Sequence, residues 1–208
     1  MSTHQALIVI DVQNGFLDPE QRWGQSSNPD AENRVREIAL AWQDAQAGPI
    51  VLVRHDSESA TSPLRPGQPG NDFMPQLNGV TADLLVAKHV NSAFYGSPDL
   101  HGWLQQHQIS NLVICGIQTN MCVETTARMA GNLGYAVTVP LDATRTFDIA
   151  TTLGDGTEIA MSADELMRAT AASLHGGGFA TVTDTASVLQ ALTADSASSF
   201  DFETGRRD

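Results

Sequence analysis

A single-domain, three-layer α/β/α fold built on a six-stranded, mostly parallel sheet follows from three observations. Short apolar runs of strand length recur along the chain, and they alternate with longer helical stretches. The runs are apolar almost throughout rather than at every second residue. Such strands need cover on both faces, and helices set between parallel strands provide it. The expected arrangement is Rossmann-like. At 208 residues the chain is long enough for one domain of this kind with a sizeable core.

The elements follow in order. A first strand spans residues 6–10, Ala-Leu-Ile-Val-Ile, and stops at Asp11. A helix over 31–47 leads to a second strand at 50–53, Ile-Val-Leu-Val. A third strand, Leu-Leu-Val-Ala at 84–87, stops at Lys88. A helix over 99–106, a strand at 112–115 and a helix over 120–133 come next. A strand at 136–139, a helix over 163–174, a strand at 179–182 and a helix over 185–192 complete the set. Two connections, 55–82 and 141–162, are too long for simple crossovers and are rich in Gly, Pro, Asp, Ser and Thr. Loops of that length in a compact domain carry function or are disordered. No repeat or linker divides the chain, so residues 1–194 form one domain. The polar tail at 195–208 lacks a core of its own and is expected to pack along the body or a neighbouring subunit.

Composition narrows the functional class. The formal net charge of −13 argues against nucleic acid and anionic membrane as partners. No apolar run approaches the ~20 residues that span a bilayer. The first apolar run is too brief for a signal-peptide core and has no basic residues before it, so a cytoplasmic protein is expected. The two cysteines, Cys115 and Cys122, fall in a strand and at the start of a helix, which suits a thiol role better than a disulfide.

Among eleven basic residues only one is a lysine, Lys88. Lysine is a compact point charge whose pKa moves readily on burial, whereas arginine brings a planar fork. Asp11 ends the first strand, Lys88 follows the third, and Cys122 lies in the first turn of the helix after the fourth. Ligands of open parallel sheets bind outside the carboxyl ends of the strands, at the switch in strand order, so all three point at one crevice. A helix N-terminus and an ammonium both favour thiolate over thiol. A carboxylate can take the thiol proton during attack and return it to a leaving amine. Asp11 also gives a buried Lys88 its counter-ion.

Three segments carry a family resemblance: Ala-Leu-Ile-Val-Ile-Asp11-Val-Gln-Asn-Gly-Phe16, Lys88-His-Val-Asn-Ser-Ala-Phe94, and Cys115-Gly-Ile-Gln-Thr-Asn-Met-Cys122-Val. In this order they resemble the isochorismatase-like cysteine hydrolase superfamily, which includes nicotinamidases and N-carbamoylsarcosine amidohydrolase. The resemblance covers residues 6–192. It implies Cys122 as nucleophile, Asp11 as general base and Lys88 as the charge supporting both. It further implies a cis peptide at Ile117–Gln118 that turns the Gln118 amide to join the Cys122 amide in an oxyanion hole. Such a hole is worth ~3–4 kcal/mol of transition-state stabilisation. Phe16 resembles the family's pocket-wall aromatic, with plain core packing as the alternative. Asn91 and Phe94 are expected to line the pocket.

The nicotinamidases of this superfamily hold a metal through an Asp-x-His motif after the second strand. This chain has Arg54-His55-Asp56-Ser57 there, and no further histidine before Lys88. Adjacent residues of an extended segment point to opposite sides, so His55 and Asp56 do not converge. The expectation is a site without metal or other cofactor, with His55 as a substrate or loop contact. Residues 57–78, with Arg65 among them, form part of the pocket rim. The resulting reading is a cysteine amidohydrolase cleaving a small C–N bond, and a homo-oligomer as family members often are. Isochorismatase-type vinyl-ether hydrolysis needs no nucleophilic cysteine, and a small-molecule binding protein has no need of the triad. Both remain as alternatives.

Overall fold

The computed structural model describes residues 4–17 and 23–200, with side chains described up to residue 194. In chain order the elements are β1 (Gln5–Ile10), α1 (Ala31–Asp44), β2 (Ile50–His55), β3 (Leu84–Lys88) and α2 (Leu100–Gln106). Then come β4 (Asn111–Ile117), α3 (Glu124–Asn132), β5 (Ala136–Pro140), β6 (Thr144–Arg145), β7 (Ile149–Thr152) and β8 (Glu158–Met161). α4 (Ala163–Gly176), β9 (Thr181–Thr183) and α5 (Thr185–Phe200) close the chain.

The central sheet runs β3-β2-β1-β4-β5-β9 and is parallel throughout, with the short β6 pairing beside the end of β4. The chain builds outward from β1 through β2 to β3, then crosses back to lay β4 on the other side of β1. The switch in strand order therefore lies between β1 and β4, which places the crevice beside Asp11 and the turn that follows β4.

Side chains alternate across the sheet and feed two cores. Ala6, Ile8 and Ile10 of β1 and Leu112 and Ile114 of β4 pack toward α2, α3 and α4. Leu7 and Val9 of β1, with Cys115 and Ile117 of β4, pack toward α1 and α5. The period of two makes this division automatic. On α1, Val35, Ile38, Ala39 and Trp42 recur at helical spacing and are all buried. α4 starts with a reciprocal cap, in which the Ser162 hydroxyl accepts from the Glu165 amide and the Glu165 carboxylate accepts from the Ser162 amide.

Three local features depart from the sequence reading. β2, β3 and β4 continue to His55, Lys88 and Ile117, past the end of each apolar run, so the residues carrying chemistry are still held in the ladder. The connection over 141–162 is not irregular. It holds β6 and an antiparallel hairpin of β7 and β8, most of whose residues are exposed. The helix expected over 120–133 begins as a π-helical turn, Thr119–Val123, before α3 proper. The expected boundary at residue 194 falls inside α5; the packing of the tail over 195–208 lies outside the described side chains. Among the described residues no helix is long and apolar enough to cross a membrane.

Candidate active site

Asp11 follows β1 directly and has a left-handed backbone, φ 51°. A non-glycine residue rarely adopts that conformation, and it tends to persist where the surrounding structure enforces it. Here the Asp11 amide donates to Val53 and its carbonyl accepts from the Gln13 amide, so the turn is hydrogen-bonded on both sides. The carboxylate is fully buried.

Lys88 is the last residue of β3, two strands away from β1, at roughly 10 Å given the spacing between neighbouring strands. Its stem crosses over the end of β2 and is completely buried. The ammonium reaches Asp11 Oδ2 at 2.6 Å and Cys122 Sγ at 3.3 Å. Cys122 sits in the π-helical turn, 7% exposed. The turn is tied down locally: the Met121 and Val123 amides both donate to the Gln118 carbonyl, and the Thr119 hydroxyl donates to that of Thr144 on β6. Arg145, next along β6, pairs with Glu32 at 2.6 Å and thereby anchors β6 to the start of α1.

The Ile117–Gln118 peptide is cis. Just before it, Gly116 has φ 122°, and a Cβ at that position would meet the Ile10 carbonyl oxygen at 2.0 Å. Only glycine lets the ends of β1 and β4 come this close. The sequence signal was present, a glycine inside a strand pattern, though its role depends on which strand lies alongside.

Electrostatics are dominated by burial. Burial pushes the Asp11 carboxyl above its ordinary range, with the Lys88 ammonium pulling the other way. Burial, reinforced by the Asp11 charge, pushes the Cys122 thiol up to about 12 despite Lys88. The ammonium favours the thiolate as the sequence suggests, and burial works against it. Asp11 Oδ1 is buried and has no hydrogen-bond partner among the described residues, and the Asp11 carboxylate lies within 4.8 Å of the thiol. That oxygen is a ready acceptor for the thiol proton.

The other candidates divide. Asn91 is exposed, and its Oδ1 lies 3.8 Å from Cys122 Sγ, which puts it at the mouth of the crevice. Phe16 is buried in an aromatic group with Trp23 at 5.0 Å and Phe147 at 6.1 Å between ring centres. Phe94 stacks on Tyr135 at 6.0 Å within the core on the α2 side. Arg65 is exposed on its loop. His55 comes closest to the chemistry: its Nδ1 is 3.1 Å from the Lys88 ammonium. Asp56 turns the other way, toward Arg54 at 2.8 Å and Asn71 at 3.0 Å. Sequence reasoning missed Gln13 and Asn71, buried amides that hold the end of β2. Nothing in a single sequence marks them.

Asp11, His55 and Cys122 each place a potential ligand atom within 4.8 Å of the others. The Lys88 ammonium lies within hydrogen-bond distance of all three. An added cation would sit against that ammonium, so the donor set does not suit a metal ion.

The isochorismatase domain model matches residues 5–186. The chain belongs to the isochorismatase family. It is 33% identical over 147 residues to the isochorismatase family protein YrdC of Bacillus subtilis, a match spanning 71% of this chain and 76% of that protein. It is 31% identical over 162 residues to a streptothricin hydrolase of Streptomyces noursei, covering 76% of this chain and 62% of the relative. The crystal structure of an isochorismatase-family protein from Chromobacterium violaceum superposes with a TM-score of 0.80 at 36% identity, over 93% of this chain and 96% of the other. The chain is thus an isochorismatase-family hydrolase.

Proposed function

We propose that this hydrolase is a cysteine amidohydrolase, cleaving a C–N bond of a small amide, ureide or carbamoyl compound through a thioester on Cys122. The observation that carries this reading is the Lys88 ammonium, buried between a carboxylate at 2.6 Å and a thiol at 3.3 Å. Burying an ion pair costs several kcal/mol per ion in desolvation, and apolar residues of similar volume often stabilise as well or better. Chemistry is a stronger reason than stability to keep such a pair at the carboxyl edge of the sheet.

The steps use only side chains, main-chain amides and water. Cys122 Sγ attacks the substrate carbonyl carbon while its proton passes to Asp11 Oδ1. The Gln118 and Cys122 amides receive the developing oxyanion. The C–N bond breaks, Asp11 returns the proton to the departing nitrogen, and ammonia or an amine leaves. Water then attacks the thioester, giving up a proton to Asp11, which restores it to the sulfur as the acid product departs. The raised Asp11 carboxyl suits this traffic, since a base nearer neutral pH exchanges protons at lower cost. Asn91 orients the substrate at the mouth, with Phe16 and Phe94 as further walls. The same reading places the protein in the cytoplasm as a homo-oligomer. Support for the oligomer comes from exposed Val90 and Tyr95, which follow Lys88 in the chain, and exposed Met121 beside Cys122.

The test is a panel of small carboxamides, ureas and carbamoyl compounds read out as released ammonia or amine, with intact mass recorded during turnover. The expected result is an acyl mass increment that maps to Cys122. A compound hydrolysed at full rate with Cys122 replaced by Ser, and with no adduct in the native protein, rejects the thioester route.

A further inference from the structure

We propose that His55 is a positioning residue of this site: its neutral imidazole accepts the third Lys88 proton at Nδ1 and so fixes the direction of the other two. The inference rests on the reading of Cys122 as nucleophile and adds a fourth side chain to the machinery.

An ammonium has three donors and no acceptor, and Lys88 is fully buried. Among the described residues its hydrogen-bonding neighbours are Asp11 Oδ2 at 2.6 Å, His55 Nδ1 at 3.1 Å and Cys122 Sγ at 3.3 Å. Three protons therefore meet three acceptors. Two of them, the carboxylate and the sulfur, exchange a proton during the proposed reaction. The imidazole is the acceptor that takes no part in that exchange. An ammonium tethered by His55 keeps its remaining protons aimed at Asp11 and Cys122 throughout.

The histidine is itself held in place. Its amide donates to Gln13 Oε1 at 2.8 Å, and its carbonyl accepts from Gln13 Nε2 and Asn71 Nδ2, each at 3.1 Å. Gln13 is fully buried and lies two residues beyond Asp11, so one segment supplies the base and also braces the strand end carrying His55. The ladder pairs His55 with Lys88 in register, which puts the imidazole beside the path of the lysine stem. Accepting at Nδ1 requires the ring proton on Nε2. In agreement, burial and the Lys88 charge pull His55 down to about 4, so the ring is neutral at ordinary pH. Among the described residues the charged or titratable groups around it are Lys88, Asp56 and His89, together with Asp11 and Cys122.

Three variants separate this role from a substrate contact through Nε2. In His55→Asn an amide oxygen can stand where Nδ1 stands, whereas His55→Gln reaches toward the place of Nε2 and His55→Leu offers no acceptor. The readout is the rate of Cys122 alkylation by iodoacetamide against pH, with peptide mapping to separate it from Cys115 and melting temperature to check the fold. His55→Leu and His55→Gln should slow Cys122 alkylation at pH 7–8 about tenfold, as expected for one buried hydrogen bond left unmade. His55→Asn should recover most of the wild-type rate and profile. If His55→Leu fails to fold, the Asn and Gln variants still decide. An unchanged profile in His55→Leu, equal behaviour of Asn and Gln, or recovery by Gln alone overturns the proposal. Native Cys122 reacting no faster than native Cys115 would instead reject the cysteine-hydrolase reading beneath it.

Discussion

Cys115 and Cys122 lie seven residues apart, are both buried, and are both pushed up to about 12. Yet they have opposite surroundings. Cys115 faces the α1 side of the sheet among Leu7, Val9 and Trp42, and burial is the only influence on its thiol. Its thiol points at the Ile8 carbonyl oxygen, at 3.9 Å. Cys122 belongs to the other side, in a turn beyond the strand, with an ammonium, a carboxylate and an amide around it. Neither burial nor resting pKa tells the two apart. What differs is whether a base with an unengaged lone pair stands within reach when the thiol must give up its proton.

The largest effect that would break this contrast comes from exchanging each sulfur. Cys122→Ser should remove nearly all turnover, at least ~1,000-fold in kcat, because a serine hydroxyl is harder still to ionise in a buried site. Cys115→Ala should leave kcat within about twofold and cost ~1 kcal/mol of stability from the small cavity. A urea titration and a steady-state assay on both variants check the pair, and similar kinetic losses would erase the distinction. Lys88→Arg comes next. The fork still pairs with Asp11 but engages the carboxylate on both oxygens, so kcat should fall at least ~100-fold in a folded protein. Near-normal turnover would mean that any buried cation suffices.

Alkylation sharpens the contrast at lower amplitude. Native Cys122 should react at least ~10-fold faster than native Cys115 between pH 7 and 8, since only the former has a base beside it. Equal labelling would place the two thiols in equivalent environments. The smallest effect is in stability. His55 lies in the Cys122 neighbourhood and is pulled down to about 4, against about 6.5 in the unfolded chain. The unfolded state thus takes up the proton first as pH falls, and the contribution of a neutral His55, intact above about 6.5, is lost between 6.5 and about 4. Melting temperatures across that window should fall more steeply for the native protein than for His55→Asn. Parallel curves would show that His55 is not held neutral by the fold.

Much of this was readable in the residues. Continuous apolar runs mark all six strands on the main path of the central sheet, and the carboxyl-end rule brings Asp11, Lys88 and Cys122 together. The hairpin of β7 and β8 escaped because its composition resembles a loop and its flanks, Ile-Ala-Thr-Thr and Glu-Ile-Ala-Met, lack clean alternation, although Asp155-Gly156 is a turn signal. β6, two residues long, has no pattern to read. The partnership of His55 with Lys88 was hidden for a different reason. Hydrophobicity ends both strands too early, at Val53 and Ala87, while the ladder carries on and sets the two polar residues side by side. The balance at the thiol was half legible, because sequence proximity shows a nearby charge but not the water that burial removes.

Gly116 has a consequence for how such a protein can diversify. With the Ile10 carbonyl where a Cβ would stand, the separation between the strand leading to Asp11 and the strand leading to Cys122 is gauged by main chain against main chain. A gauge made of side chains drifts whenever a rotamer or a neighbour changes; one made of peptide units does not. Exposed residues near the crevice mouth, such as Asn91, can be exchanged without disturbing that gauge. Specificity is then free to wander across the surface while the reactive distance stays constant.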